Sequence, residues 1–249
     1  MAVKINLENK VALVTGGTRG IGQAIVNELL QSGAKVFATG TNLTQVEKLN
    51  KENKNSLLTY LQLDLSVPNN VRKFISKTLK VTDIDILVNN AGINIVSDAD
   101  IICDEEFLQI QEINVHGPFL LAQAFGKQML NKNWGRIINI SSIWGVVTRP
   151  GRLSYSASKM ALLGITKTLA VEWAKNNVLV NSVSPGFTLT ELTKTTNTKQ
   201  ELKEIENKIP QNRLALPEEI AKGVLFLSSN LNSYMVGQNL IIDGGYTAI

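Results

Sequence analysis

The 249-residue sequence predicts an α/β fold, a doubly wound parallel sheet in three α/β/α layers. Short apolar runs rich in valine, isoleucine and leucine alternate with longer helical patterns along the whole chain. A glycine-rich turn, Thr15-Gly16-Gly17-Thr18-Arg19-Gly20-Ile21-Gly22, joins the first apolar run to the first helical pattern. No linker, low-complexity tract or repeat breaks the alternation, so one domain over residues 1–249 is expected.

Residues 10–15 read as the first strand, and a helix from about residue 21 to 32 stops at Gly33. Residues 34–39 form the second strand and 57–63 the third, which ends at Asp64. Pro68 opens the next helix. The fourth strand, 84–88, runs into Asn89-Asn90-Ala91-Gly92, and a long helical pattern covers about 104–131. The fifth strand is 136–140, followed by a helix that carries Tyr155 and extends to about 175. Residues 178–183 form the sixth strand, leading into Pro185-Gly186; the polar stretch 190–208 is helical, and Pro217 starts another helix. Residues 240–242 are the last strand, before Asp243-Gly244-Gly245. A repeated β-α order implies parallel strands with helices on both faces.

Composition narrows the function. An apolar content of 44% supports one large core, and no apolar run approaches the ~18 residues that would cross a bilayer. Polar and charged residues follow Met1 closely, so neither a secretory signal nor a membrane partner is expected. The single cysteine, Cys103, excludes an internal disulfide and a cysteine-cluster metal site, and the one histidine, His116, has nothing to place it beside that thiol. A net charge of +4 is dispersed among acids, without the basic face that nucleic acid requires.

Tyr155 and Lys159 lie at i and i+4 of the expected helix and so share a face. A phenol has an ordinary pKa of about 10, and a nearby ammonium favours the phenolate, so the pair suits proton transfer. Ser142, thirteen residues before Tyr155 at the end of a β-rich run, can aim a hydroxyl at the same point. The glycine turn permits tight backbone geometry and close approach of a pyrophosphate to a helix N-terminus, although its spacing is G-x-x-x-G-x-G.

These motifs, with Asp64, Asn89-Asn90-Ala91-Gly92, Asn114 and Pro185-Gly186 in the same order, resemble the short-chain dehydrogenases/reductases over essentially the whole chain. The resemblance implies a Rossmann-type fold and hydride transfer between a nicotinamide and a carbonyl or secondary alcohol substrate, without metal. It implies a catalytic set of Asn114, Ser142, Tyr155 and Lys159, with Asn114 holding a water that links the lysine to solvent. For the cofactor it implies Gly16, Thr18, Arg19, Gly20, Ile21 and Gly22 in the turn, Gly40 and Thr41 after the second strand, and Asp64 and Leu65 at the adenine. Asn90, Ala91 and Gly92, Tyr155 and Lys159, and Pro185, Gly186, Thr188 and Thr190 complete that list.

Cofactor choice follows from charge. NAD enzymes of this architecture place an acid after the second strand to bind the ribose 2′-hydroxyl. No Asp or Glu occurs between Leu29 and Val46; Gly40, Thr41 and Asn42 stand where the acid would be. Arg19 supplies a cation, so NADP(H) is favoured over NAD(H), and a glycine at position 40 also permits a positive φ.

The resemblance extends to 3-oxoacyl-carrier-protein reductases, which often dock their carrier through arginines near the fifth strand and after the catalytic helix. Asn133 and Asn176 occupy those places here, beside Lys132 and Lys175. Trp144, Arg149 and Arg152, between Ser142 and Tyr155, suit a sugar, a sugar acid or another anionic carbonyl compound. Residues 190–207 lie where the family keeps a mobile substrate lid. A cytoplasmic homotetramer is expected, with a dimer as the second choice.

Overall fold

The computed structural model describes residues 5–196 and 198–248; of the expected lid, Asn197 lies outside the described residues. Seven strands form one parallel sheet: β1 (Val11–Val14), β2 (Lys35–Gly40), β3 (Leu58–Gln62), β4 (Ile86–Asn89), β5 (Gly135–Ile140), β6 (Val178–Pro185) and β7 (Asn239–Ile242). Their spatial order is β3-β2-β1-β4-β5-β6-β7. The order reverses between β1 and β4, and a crevice opens beyond the strand ends at such a point.

Nine helices alternate with the strands among the described residues: α1 (Gly20–Gln31), α2 (Leu43–Glu52), α3 (Pro68–Leu79), α4 (Asp104–Gln111), α5 (Gly117–Lys132), α6 (Leu153–Trp173), α7 (Glu191–Thr196), α8 (Lys199–Glu206) and α9 (Pro217–Ser228). Alternation along each strand sorts the core into two layers. Ala12, Val14, Val36, Ala38, Ile86 and Val88 pack with α1, α2 and α9 on one face. Leu13, Phe37, Leu87, Ile137 and Val180 pack with α3, α5 and α6 on the other. Both faces of the five inner strands, β2, β1, β4, β5 and β6, are buried, which is why they read as near-continuous apolar runs, while β3 and β7 are edge strands only partly covered. Leu87 is fully buried, and truncating such a leucine to alanine costs about 2–5 kcal/mol.

Two elements depart from the sequence reading. The helix α2 was not expected, because only Val46 of its ten residues is buried and its face toward water is polar. Its start is fixed by Asn42, whose Oδ1 accepts from the Gln45 N–H at 2.9 Å. The long pattern near 104–131 is not one α-helix: a π-helical turn, Glu112–His116, separates α4 from α5. The stretch near 190–208 forms two short helices, the second opened at its N-terminus by a capping box between Thr198 and Glu201.

Candidate active site

Because all strands are parallel, every turn that follows a strand emerges at the same edge of the sheet, and the expected site residues gather there. The glycine turn leaves β1, with Gly16 and Gly20 in the left-handed region at φ 63° and 55°. A Cβ on Gly22 would run into the Gly16 carbonyl, so helix α1 abuts the turn with no side chain between them. A linear, extended ligand therefore meets bare backbone and the N-terminus of α1, which fits the pyrophosphate of a dinucleotide. Arg19 sits at the N-cap of α1, exposed.

The turn is braced from β4. Asn90 Nδ2 donates to the carbonyls of Thr15 at 2.9 Å and Gly16 at 3.1 Å. In return the Thr15 hydroxyl accepts from the backbone N–H groups of Asn90 and Ala91, both at 3.0 Å. Thr15 was part of the motif but not among the expected site residues; its place at the end of an apolar strand was the available signal.

Beyond β2, Gly40 faces Thr18, whose Cγ2 would lie 2.8 Å from a Cβ at residue 40. Its φ is not positive, so the space is limited by Thr18 and not by backbone handedness. Thr41 and Asn42 are exposed, and the N-terminus of α2, with no acid in its first turn, opens directly after them. Asp64 Oδ1 accepts from the Ser66 N–H at 2.9 Å and from its hydroxyl at 2.7 Å, which leaves the second carboxylate oxygen open. The Leu65 side chain is buried against Gly117, so only its backbone is available to a ligand. Across the cleft Thr190 comes within 3.4 Å of where a Gly20 Cβ would be. Thr188 is buried and donates to the Gly186 carbonyl at 3.1 Å.

The four expected catalytic residues converge. Lys159 is buried, and its Nζ donates to the Ile140 carbonyl at 2.8 Å while lying 5.5 Å from the centre of the Tyr155 ring. Burial lowers its pKa to about 8. Ser142, two residues beyond β5 at the cap of a 3-10 turn, lies within hydrogen-bonding reach of the phenol, and its Oγ also accepts from the Trp144 N–H at 3.1 Å. Burial holds the Tyr155 phenol above its ordinary value; Ser142 first and Arg152 second pull it down. The lowering expected from Lys159 is not what governs the phenol in the free protein. Lys159 already donates to Ile140, and removal of the phenol from water is the larger effect.

Asn114 lies in the π-helical turn, the kind of distortion often found at working sites. Its side chain accepts from the Ile93 N–H at 2.9 Å and donates to the Ile93 carbonyl at 2.9 Å and to Ser158 at 3.0 Å. It ties the loop after β4 to α6 and borders Gly92 together with Lys159.

Trp144, Phe187 and Tyr246 form a cluster of edge-on rings with centroids 5.3–6.1 Å apart. Phe187 and Tyr246 were not anticipated; each follows a glycine-bearing strand exit, which was the only signal. His116 binds Glu112 at 2.7 Å, away from the exposed Cys103, and no cluster of metal-ligating residues occurs among the described residues. A separate groove of about 760 Å³ over α4, α5 and α6 includes none of the converging residues. No helix among the described residues is long and apolar enough to cross a membrane.

A parallel sheet with a crevice at its reversal point, a bare glycine turn and a serine–tyrosine–lysine group define a dinucleotide-dependent oxidoreductase. The chain belongs to the short-chain dehydrogenase/reductase family: a family model described as enoyl-(acyl carrier protein) reductase matches residues 16–247. It is 40% identical to the 3-oxoacyl-[acyl-carrier-protein] reductase FabG of Aquifex aeolicus, over 98% of this chain and 99% of that one. Identity to the NAD-dependent glycerol dehydrogenase of Listeria innocua is 37%, over 97% and 95% of the two chains. A gluconate 5-dehydrogenase from Burkholderia cenocepacia, solved in complex with NADP and tartrate, superposes with a TM-score of 0.92 at 29% identity, covering 98% of this chain and 97% of that one. The protein is thus an oxidoreductase that works with a nicotinamide cofactor.

Proposed function

We propose that residues 1–249 form one catalytic domain that interconverts a carbonyl compound and its secondary alcohol with NADP(H), NAD(H) being the weaker cofactor. The convergence of Ser142, Tyr155 and Lys159 on one point of the cleft carries this reading. When bound, the nicotinamide exchanges a hydride with the substrate carbon. Tyr155 gives its phenolic proton to the substrate oxygen in reduction and receives one in oxidation, while the Ser142 hydroxyl donates a hydrogen bond to that oxygen. Lys159, held by Ile140, orients the nicotinamide ribose and stabilises the phenolate formed during turnover. Its pKa of about 8 lets it pass on a proton near neutrality, and Asn114, beside the same glycine, holds the water that continues the relay.

NADP(H) is supported by the missing acid after β2, by Arg19, and by the α2 N-terminus, whose partial positive charge favours a 2′-phosphate. Thr18, Gly20, Ile21 and the backbone of Leu65, with Asp64, Asn90–Gly92, Pro185, Gly186, Thr188 and Thr190, complete the cofactor cleft in this reading. A cytoplasmic homotetramer, or failing that a dimer, is proposed on the exposed apolar side chains of Leu108, Phe119, Met160 and Val171 along α4, α5 and α6.

A second reading, reduction of a 3-oxoacyl thioester, is favoured by the identity to the Aquifex reductase. Acyl carrier protein as the thioester's carrier has weaker support. Lys132 is engaged by Asp83 at 3.0 Å and Asp85 at 3.3 Å, and Asn176 donates to Asn133 at 2.9 Å, which leaves Lys175 as the nearby cation. A panel of 3-oxoacyl thioesters, keto-sugars, sugar acids and cyclic ketones, followed by NADPH absorbance, tests the function. Turnover of none of these classes with either cofactor overturns it.

A further inference from the structure

Between Ser142 and Tyr155 the chain carries two guanidinium groups, one on the Trp144 ring and one beside Tyr155, and neither has an acid within ion-pair distance among the described residues. Arg149 lies over the Trp144 ring, 5.3 Å from its centre, and is exposed. Arg152 is half-buried at the N-cap of α6, one turn before Tyr155, and its Nε is buried without a hydrogen-bond partner. An unmatched buried donor on a charged group is destabilising, and two neighbouring cations add repulsion. Desolvation and Arg149 both lower the pKa of Arg152, with Tyr155 the one opposing influence. The buried Arg136 also has an unmatched Nε, but its other donors are spent on the Gly135, Asn177 and Asn232 carbonyls. Arg152 has no such bond among the described residues and stands beside Tyr155, where an anion would complete it.

We propose that Arg152 binds the carboxylate of the substrate, which is therefore a small hydroxy acid or oxo acid whose carboxylate lies within a few bonds of the reacting carbon. The inference rests on Tyr155 being the proton donor and narrows the substrate of that same site. The position of Arg152 sets the distance: the same helix turn holds the anion site and the phenol, so both must be met by one compact molecule. A pantetheine-linked thioester does not meet this condition, because its anionic phosphate stands at the far end of a long arm. Arg149 is held on Trp144 and closes the mouth as a second cation. Trp144, Phe187 and Tyr246 wall the remaining side with ring faces and edges, suited to the C–H groups of a polyol or short aliphatic chain.

The test compares gluconate, tartrate and 3-hydroxybutyrate with their methyl esters, using wild type, Arg152→Gln and Arg152→Lys. In wild type the better acid should exceed its ester at least tenfold in kcat/KM. Arg152→Gln should erase that preference, chiefly through KM, and Arg152→Lys should keep part of it. Tartrate is also titrated into the NADP-saturated proteins by Trp fluorescence, a readout that needs no turnover. Tartrate affinity lost at least tenfold in Arg152→Gln supports the proposal even where no alcohol in the panel is oxidised, an outcome that counts against the reaction and not against the anion site. Equal treatment of acids and esters by wild type, or unchanged tartrate affinity in Arg152→Gln, overturns it.

Discussion

The two halves of the cleft treat their polar groups differently. On the cofactor side, around β1, β2 and β4, Thr15 and the Asn90 N–H groups brace the glycine turn and the Asn42 oxygen caps α2, while the Arg19 side chain stays exposed and one Asp64 oxygen open. On the substrate side, Arg149 and Arg152 carry uncompensated charge and one buried N–H without a partner. A dinucleotide is always the same ligand, so most of the surface that holds it can be built before binding, and the glycine turn presents mainly backbone. A substrate is selected by its own charges, so the surface that reads it keeps groups in reserve. The stability of one half and the specificity of the other should therefore respond to different substitutions.

The largest effect is expected where the halves meet. Tyr155→Phe preserves the ring and removes the proton, so turnover should fall by about 10²–10⁴-fold, with cofactor affinity kept. Steady-state kinetics with a cofactor titration checks this; near wild-type turnover would remove Tyr155 as the acid. Lys159→Met should also abolish most activity while stabilising the cofactor-free protein. Burial holds this amine at about 8, whereas unfolded it titrates near 10.5, so the unfolded chain binds more protons between those values and stability rises with pH there. The penalty is complete below about pH 8, and relieving it is worth at most roughly 3 kcal/mol. Urea unfolding of the two proteins should differ at pH 7 and converge as pH approaches 10.5.

Thr15→Val leaves the Ala91 N–H without its acceptor and takes one of two from the Asn90 N–H, which also reaches the Val88 carbonyl at 3.1 Å; this should cost about 1–3 kcal/mol of stability. It should weaken both NADPH and NADH, seen as a lower denaturation midpoint and higher Kd for each. Equal stability with unchanged Kd would show that the brace is not what shapes the turn. The smallest effect is a ratio. NADPH should bind more tightly than NADH, and Gly40→Asp should reverse that order by repelling the 2′-phosphate and accepting from a free ribose. Thr18 crowds the new side chain, so Thr18→Ser in the same protein should restore overall affinity without changing the reversed ratio. Fluorescence titration of both reduced cofactors decides it, and a wild type that prefers NADH breaks the charge argument.

Much of the fold was legible because parallel strands buried on both faces must be apolar throughout and must be separated by helices. The seven strands came within two residues of their observed ends on this signal. Helix α2 was not legible, since its stability rests on the Asn42 cap and one buried valine more than on an apolar stripe. The π-helical turn at Asn114 was equally hidden: it preserves a helical pattern while changing the hydrogen-bond register.

The chain by itself determined the reaction chemistry of this protein. The glycine turn, Ser142 and the Tyr155–Lys159 spacing each depend on local geometry, a strand end, a tight turn or one helix face, which neighbouring residues dictate. Tertiary structure decided what surrounds that chemistry. Whether Lys159 or burial governs the Tyr155 phenol depends on what α6 packs against, and Lys159 turns to the Ile140 carbonyl from a distant strand. Trp144, Phe187 and Tyr246 meet because β5, β6 and β7 are adjacent and parallel, so their exits share one edge. That Arg152 meets no acid among the described residues and keeps an unmatched Nε is likewise decided by the packing, which brings distant segments together.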